Sequence, residues 1–174
     1  FFAAAFLVNA EGLPLLGCVD VACRAAPLPA LAVFSAVLSK VGAYGFLRVV
    51  LPILPYATQL FQTTLLILAV ASIIYGSVMA FTKTDLRLIV AYSSIAQLGF
   101  ITAGIFSLDS TGANGALLQM VNHGLVVVPA FLIVALIRER TGTEDASKMG
   151  GLAKNAPVFA VIFLIVTMST LAIP

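Results

Sequence analysis

Two side chains in this sequence are suited to moving a proton, Lys40 and His123. Lys40 stands midway along an apolar stretch spanning residues 28 to 50, where a charged group costs about 2.5 to 3.5 kcal/mol on insertion scales if lipid surrounds it. Its head group must therefore meet protein or water. Ser35, Ser39 and Ala43 recur at four-residue spacing, a small-residue seam along which another helix can approach closely. Desolvation disfavours a charged amine and a carboxylate favours it, so a moving partner charge can switch a buried lysine between protonation states. Two roles stay open from position alone: a proton relay, or a structural lysine that pairs permanently with an acid or snorkels to the membrane edge.

His123 is the sole histidine, inside the stretch from 115 to 137, with Gln119 one turn before it and Asn122 beside it. A reference pKa near 6.5 suits proton transfer at ambient pH, and a helix-packing hydrogen bond is the competing role. Pro129 in the same stretch is expected to kink it. Ser93, Ser94 and Gln97 put hydroxyl and amide groups on the stretch from 86 to 106, either to line a hydrated path or to bind helices together. Tyr44 and Tyr92 are equally ambiguous. Glu11 and Asp20 add carboxylates to an irregular first segment.

Other chemistry finds no footing. Cys18 and Cys23 have no neighbouring histidine and lack zinc-ligand spacing. No glycine-rich phosphate loop or nucleophile elbow occurs, so no catalysis by this chain alone and no cofactor or metal are expected. The net charge of +2 forms no basic tract, which argues against nucleic acid.

The elements that must position these groups are membrane helices. Of 174 residues, 61% are hydrophobic and 9% charged, and the mean hydropathy is +1.14. A soluble domain of that composition could not cover itself with polar surface. The expected fold is all-α, a polytopic transmembrane bundle with room for roughly six or seven crossings. Spans are predicted near 28–50, 60–81, 86–106, 115–137 and 157–174, the last truncated. Residues 1–26 are expected to form a broken helix, because Asn9, Glu11, Gly12 and Pro14 interrupt the apolar run and lipid cannot satisfy the freed backbone. The chain opens on Phe1 and closes on Pro174 inside an apolar run, and is expected to be an internal fragment of one transmembrane domain. Lys83 and Arg87, and then Arg138, Arg140, Lys148 and Lys154, place the loops 82–87 and 138–156 on the cytoplasmic side of an inner (plasma) membrane. The opposite connections, 52–59 and 107–114, carry Asp109 as their single charge. Arg48 then lies near the outer rim and can snorkel.

The run Ser35-Ala-Val-Leu-Ser-Lys40-Val-Gly-Ala-Tyr-Gly-Phe-Leu-Arg48 with Leu51-Pro-Ile-Leu-Pro55 resembles the lysine-bearing helix of the antiporter-like membrane subunits of respiratory complex I. Thr84-Asp-Leu-Arg-Leu-Ile-Val-Ala-Tyr-Ser-Ser-Ile-Ala-Gln-Leu-Gly-Phe100 is similar to that family's next motif, Gln119-Met-Val-Asn-His-Gly-Leu125 to its histidine helix, and Met149-Gly-Gly-Leu-Ala-Lys-Asn-Ala-Pro157 to the loop before its second broken helix. Together they cover nearly the whole chain in the family's order. Mrp-type cation/proton antiporter and membrane-hydrogenase subunits share much of the pattern.

The resemblance implies two inverted five-helix repeats with broken helices, and a mid-membrane proton path coupled to quinone reduction by NADH in other subunits. It makes this chain part of a translocase with other membrane subunits of a respiratory complex, the lipid bilayer and protons as partners, and with no redox site of its own. It assigns Lys40 to the family's central proton-passing lysine, His123 to the connecting path, and Arg87 to a basic position at the cytoplasmic edge. Where the family places a second lysine, this chain has Asn9, and an amide does not exchange a proton at physiological pH. Glu11 is then a substitute for that group, or the half-channel is impaired and the subunit structural, or the sequence diverges from the family here.

Overall fold

A computed structural model describes residues 25–151, 154 and 156–170. The expected broken helix at 1–26, with Asn9, Glu11, Cys18, Asp20 and Cys23, lies outside them except for its last two residues, and so does the end at 171–174. Among the described residues, four helices are long and apolar enough to cross a membrane: α1 (Leu28–Ile53), α2 (Pro55–Thr82), α3 (Leu86–Phe106) and α4 (Ser110–Thr141). A shorter apolar helix, α5 (Pro157–Thr170), follows a loop with a 3-10 turn at Ala146–Lys148.

The helices outrun the apolar stretches, and the reasons are local. Pro55 has no N–H and disfavours helical backbone in the residue before it, yet fits the first turn of a new helix. The break between α1 and α2 is therefore the single residue Leu54, at φ −126° and ψ 56°, in place of a connection over 52–59. Thr58 closes the new turn, donating from its N–H and its hydroxyl to the Leu54 carbonyl at 2.9 and 2.8 Å. Asp109 caps α4 by accepting from the Thr111 N–H at 3.1 Å, so that helix begins at Ser110 rather than near 115. The same Thr111 hydrogen bonds, the side chain's first, hold the Asp109 carboxyl below the usual carboxylate range. At the far end Arg138, Glu139 and Arg140 continue the helix, and Gly142 ends it in the left-handed region at φ 72°, a conformation glycine adopts without steric cost.

Helix α3 sits at the centre. Against α2 it packs backbone to backbone: a Cβ on Gly76 would lie 2.8 Å from the Ala96 nitrogen, and one on Gly99 would lie 2.9 Å from the Ala69 oxygen. Small residues permit such contact where lipid supplies no hydrophobic drive between helices. On its other side, Leu88, Ile95 and Tyr92 join Leu28 and Leu31 of α1 and Phe131 and Val134 of α4 in one core. A second core lies towards the other end, where the rings of Phe46 and Phe106 meet edge to face at 5.1 Å. Helix α5 leans on α4 through Val166 against Ala130, Ile133 and Ile137. The outer face of α2, with Tyr56, Leu60, Ile67, Ile74 and Phe81, is exposed and apolar.

Two features bear on the site. Helix α1 is not uniform: π-helical turns at Phe34–Leu38 and Phe46–Val50 flank an α-helical segment at Ser39–Gly45. The two basic loops also meet at one end of the bundle, joined by backbone hydrogen bonds from Leu86 N–H to the Glu144 oxygen at 3.0 Å and from Ala146 N–H to the Thr84 oxygen at 2.9 Å.

Candidate functional site

Lys40 is the second residue of the α-helical segment between the two π turns of α1. A π turn is wider than an α turn and alters which donors its carbonyls meet, and such turns recur at functional sites. Here the Ser35 carbonyl, inside the first π turn, collects two side-chain donors: the Ser39 hydroxyl at 2.6 Å and the Lys40 Nζ at 2.5 Å. Nζ also lies 3.3 Å from the Ser39 Oγ. The serines of the small-residue seam thus serve as an oxygen cradle for the ammonium as well as a place of close approach.

Facing them on α4 is His123, 6% exposed, with Nδ1 2.6 Å from Lys40 Nζ. Helix approach is close here, since a Cβ on the neighbouring Gly124 would lie 3.6 Å from the Ala36 oxygen of α1. An ammonium has donors only, so while Lys40 is protonated Nδ1 accepts and the ring proton sits on Nε2. If the lysine releases its proton, Nδ1 can carry one and donate to the free amine instead. One proton can therefore be held on either side of the contact with little movement of heavy atoms.

Behind His123 the bundle opens into two cavities that share Gln97, His123, Val126 and Thr170. The larger, about 330 Å³, is lined by Gln97, Gln119, Asn122, His123, Ser169 and Thr170 among others. The smaller, about 160 Å³, adds Ser93, Ser94 and Thr167. A water takes about 30 Å³ in the liquid and needs polar partners, and the larger cavity offers room and partners for several. Across it runs a directed amide chain: Gln119 Nε2 donates to Gln97 Oε1 at 2.6 Å, and Gln97 Nε2 donates to the Thr170 carbonyl at 3.0 Å. Pro129 brings no N–H to the Leu125 carbonyl four residues before it, and Leu125 lines the same cavity.

The structure thus brings Lys40, His123, Gln97 and Ser94 into one neighbourhood. Ser94, buried, donates its hydroxyl to the Val90 carbonyl at 2.9 Å, which leaves its oxygen free to accept. Arg87 lies elsewhere, at the end of the bundle where the basic loops meet, and pairs with Glu144 at 2.8 Å. Tyr44 is exposed, and Tyr92 packs against the Tyr75 ring with Lys83 Nζ 5.5 Å from its own ring centre. Neither lines the two cavities. Asn9 and Glu11 lie outside the described residues. Among the described residues no group of His, Cys, Asp and Glu side chains could hold a metal ion. Sequence reasoning missed three participants: the Ser35 carbonyl, the Thr170 carbonyl and the Gln119 to Gln97 link. Gln119 carried a signal, one turn before His123. The backbone acceptors carried none.

The transmembrane family described as NADH:quinone oxidoreductase/Mrp antiporter matches residues 1–174. NADH-quinone oxidoreductase subunit M of Rickettsia typhi is 41% identical over 170 residues, covering 98% of this chain and 34% of that protein. The subunit M of Rhodobacter capsulatus is 36% identical over 173 residues, covering 99% of this chain and again 34% of the relative. The chain therefore spans about a third of the length of these relatives. A chain of respiratory complex I from Thermus thermophilus with bound NADH superposes with a TM-score of 0.94 at 31% identity, over 99% of this chain and 37% of that one. A chain of the Mrp complex from Dietzia sp. superposes at 0.92 with 24% identity, over 99% of this chain and 32% of its own, a likeness of fold alone.

Proposed function

Because the chain belongs to the NADH:quinone oxidoreductase/Mrp antiporter transmembrane family, we propose that it is part of a proton-translocating subunit of an NADH-quinone oxidoreductase, with Lys40 and His123 as consecutive stations for the proton. The observation that carries this is the 2.6 Å contact between Lys40 Nζ and His123 Nδ1, from helices α1 and α4, beside a polar cavity. The contact sets an amine against the sole histidine of the chain, two groups that can each hold a proton or release it.

The proton path runs from Lys40 to His123 and on to cavity water held by Gln119, Gln97 and Ser94. The amides orient that water without exchanging protons themselves. The Thr170 carbonyl, at the end of the described part of α5, is a further acceptor on the route. Other membrane subunits of the complex and lipid cover the exposed apolar faces, and the loops joined at Glu144 face the cytoplasm of an inner membrane. Redox chemistry belongs to other subunits.

The family's description supports a second reading, a cation/proton antiporter subunit in which the same pair exchanges protons against another cation. Replacing Lys40 with alanine in the full complex, in sealed vesicles, separates a relay from a packing role. Proton uptake per electron pair falls about tenfold or more while the complex assembles. Normal uptake in assembled complex would remove Lys40 from the path. Uptake that requires sodium would favour the antiporter.

A further inference from the structure

The end of the bundle where the basic loops meet is held by charge. The Glu144 carboxylate accepts from Arg87 Nη2 at 2.8 Å and from Arg138 Nη1 at 2.9 Å. Arg87 and Glu144 are 5% and 15% exposed, so salt screens their attraction weakly. The guanidinium fork of Arg87 reaches a second partner, and its Nη1 donates to the Ala26 carbonyl at 3.1 Å. Ala26 lies just before α1, the helix that carries Lys40. One carboxylate therefore ties the start of α3 and the last turn of α4 directly, and the start of α1 through Arg87. The backbone bonds between Leu86 and Glu144 and between Ala146 and Thr84 hold the carboxylate's loop in place.

What this clamp controls follows from the shape of α1. Its two π turns at Phe34–Leu38 and Phe46–Val50 are departures from regular winding that let a helix change register locally. At its far end α1 passes into α2 through Leu54 alone. The anchored end is then the reference from which the Ser39–Gly45 segment is placed along α4.

We infer that Glu144 is a positioning residue: through Arg87 it fixes the register of the Lys40 helix against the His123 helix. Its consequence for transport rests on the proton path proposed above, whereas its consequence for geometry does not. The two can be read separately.

The test uses the full complex in membranes, with Cys18→Ser and Cys23→Ser as background and the pair Ala36→Cys and Gly124→Cys as the reporter of register, since a Cβ at position 124 of α4 would lie 3.6 Å from the Ala36 backbone oxygen of α1. Disulfide formation under mild oxidation is compared with Glu144 intact, as Glu144→Gln, and as Glu144→Asp. Glu144→Gln is expected to slow cross-linking about threefold or more, through loss of a coupled charge network, and Glu144→Asp to restore most of it. Arg87→Lys is the second variant. It keeps the charge but loses the fork that spans both partners, and is expected to slow cross-linking in the same direction. Cross-linking at the unaltered rate in either assembled variant overturns the inference, whatever happens to pumping. Slowed cross-linking with undiminished pumping upholds the clamp and counts against the Lys40 and His123 path instead.

Discussion

Replacing Lys40 with arginine separates charge from proton release. Arginine keeps a positive group on α1, and its donors can reach the Ser35 carbonyl and His123 Nδ1, the partners that Nζ meets at 2.5 and 2.6 Å. The electrostatic role of the position survives. Deprotonation does not, because the reference pKa of arginine lies about 2 to 3 units above that of lysine, equivalent to about 3 to 4 kcal/mol. Both side chains meet the same surroundings on α1 and α4, so that difference carries over to the site. Added to the barrier for handing a proton to His123, it slows the step about 10²- to 10³-fold. The assay is acidification of sealed vesicles driven by NADH, with quinone reduction followed in the same preparation and assembly checked on native gels. Pumping above about a tenth of the unsubstituted rate, far more than the added barrier allows, would show that the position needs a charge and not a releasable proton, and would refute the relay.

Two other outcomes follow from the packing and from the cavity. Gly99→Val drives a branched side chain into the Ala69 oxygen and Ile73 nitrogen, already 2.9 and 3.1 Å from a bare Cβ. Overpacking against backbone costs about 1 to 3 kcal/mol, to be seen as less assembled complex and a lower midpoint in thermal unfolding, whereas Gly115→Val, with nothing within 4 Å among the described residues, leaves assembly unchanged. Gln119→Leu removes the donor to Gln97 Oε1 and part of the cavity's polar lining. Vesicle acidification is expected to slow by about threefold to tenfold, the scale of one lost hydrogen bond to a positioned group, with assembly intact, and an unaltered rate would show that this amide chain plays no part in transfer.

The helical spans were legible because composition left lipid as the one solvent able to accept them, and the lysine because an intramembrane charge is conspicuous wherever it stands. Helix ends were less so. Hydropathy cannot see that Pro55 restarts a helix directly after Leu54, or that Asp109 and Gly142 cap α4 beyond its apolar part, since caps are set by single-residue backbone chemistry. Lys40 and His123 could each be singled out, but not their contact, which depends on how α1 and α4 are rotated against each other. The π turns left no pattern in the sequence, and neither did the Ser35 and Thr170 carbonyls, because every residue carries a carbonyl. Arg87 read as a basic group at the membrane edge. Its burial and its hold on Glu144 came from a loop closure across 57 positions.

The central claim is that one proton passes through Lys40 and His123 in series, and the most direct measurement is the pumping rate of Lys40→Ala, His123→Ala and the double variant in the same vesicles. His123→Ala alone is expected to slow pumping, and Lys40→Ala to reduce it more. Residues that act as one unit are strongly non-additive, so the double variant should pump at the rate of Lys40→Ala alone. A double variant whose loss is the product of the two single losses would mean that the residues act independently, and would contradict the path.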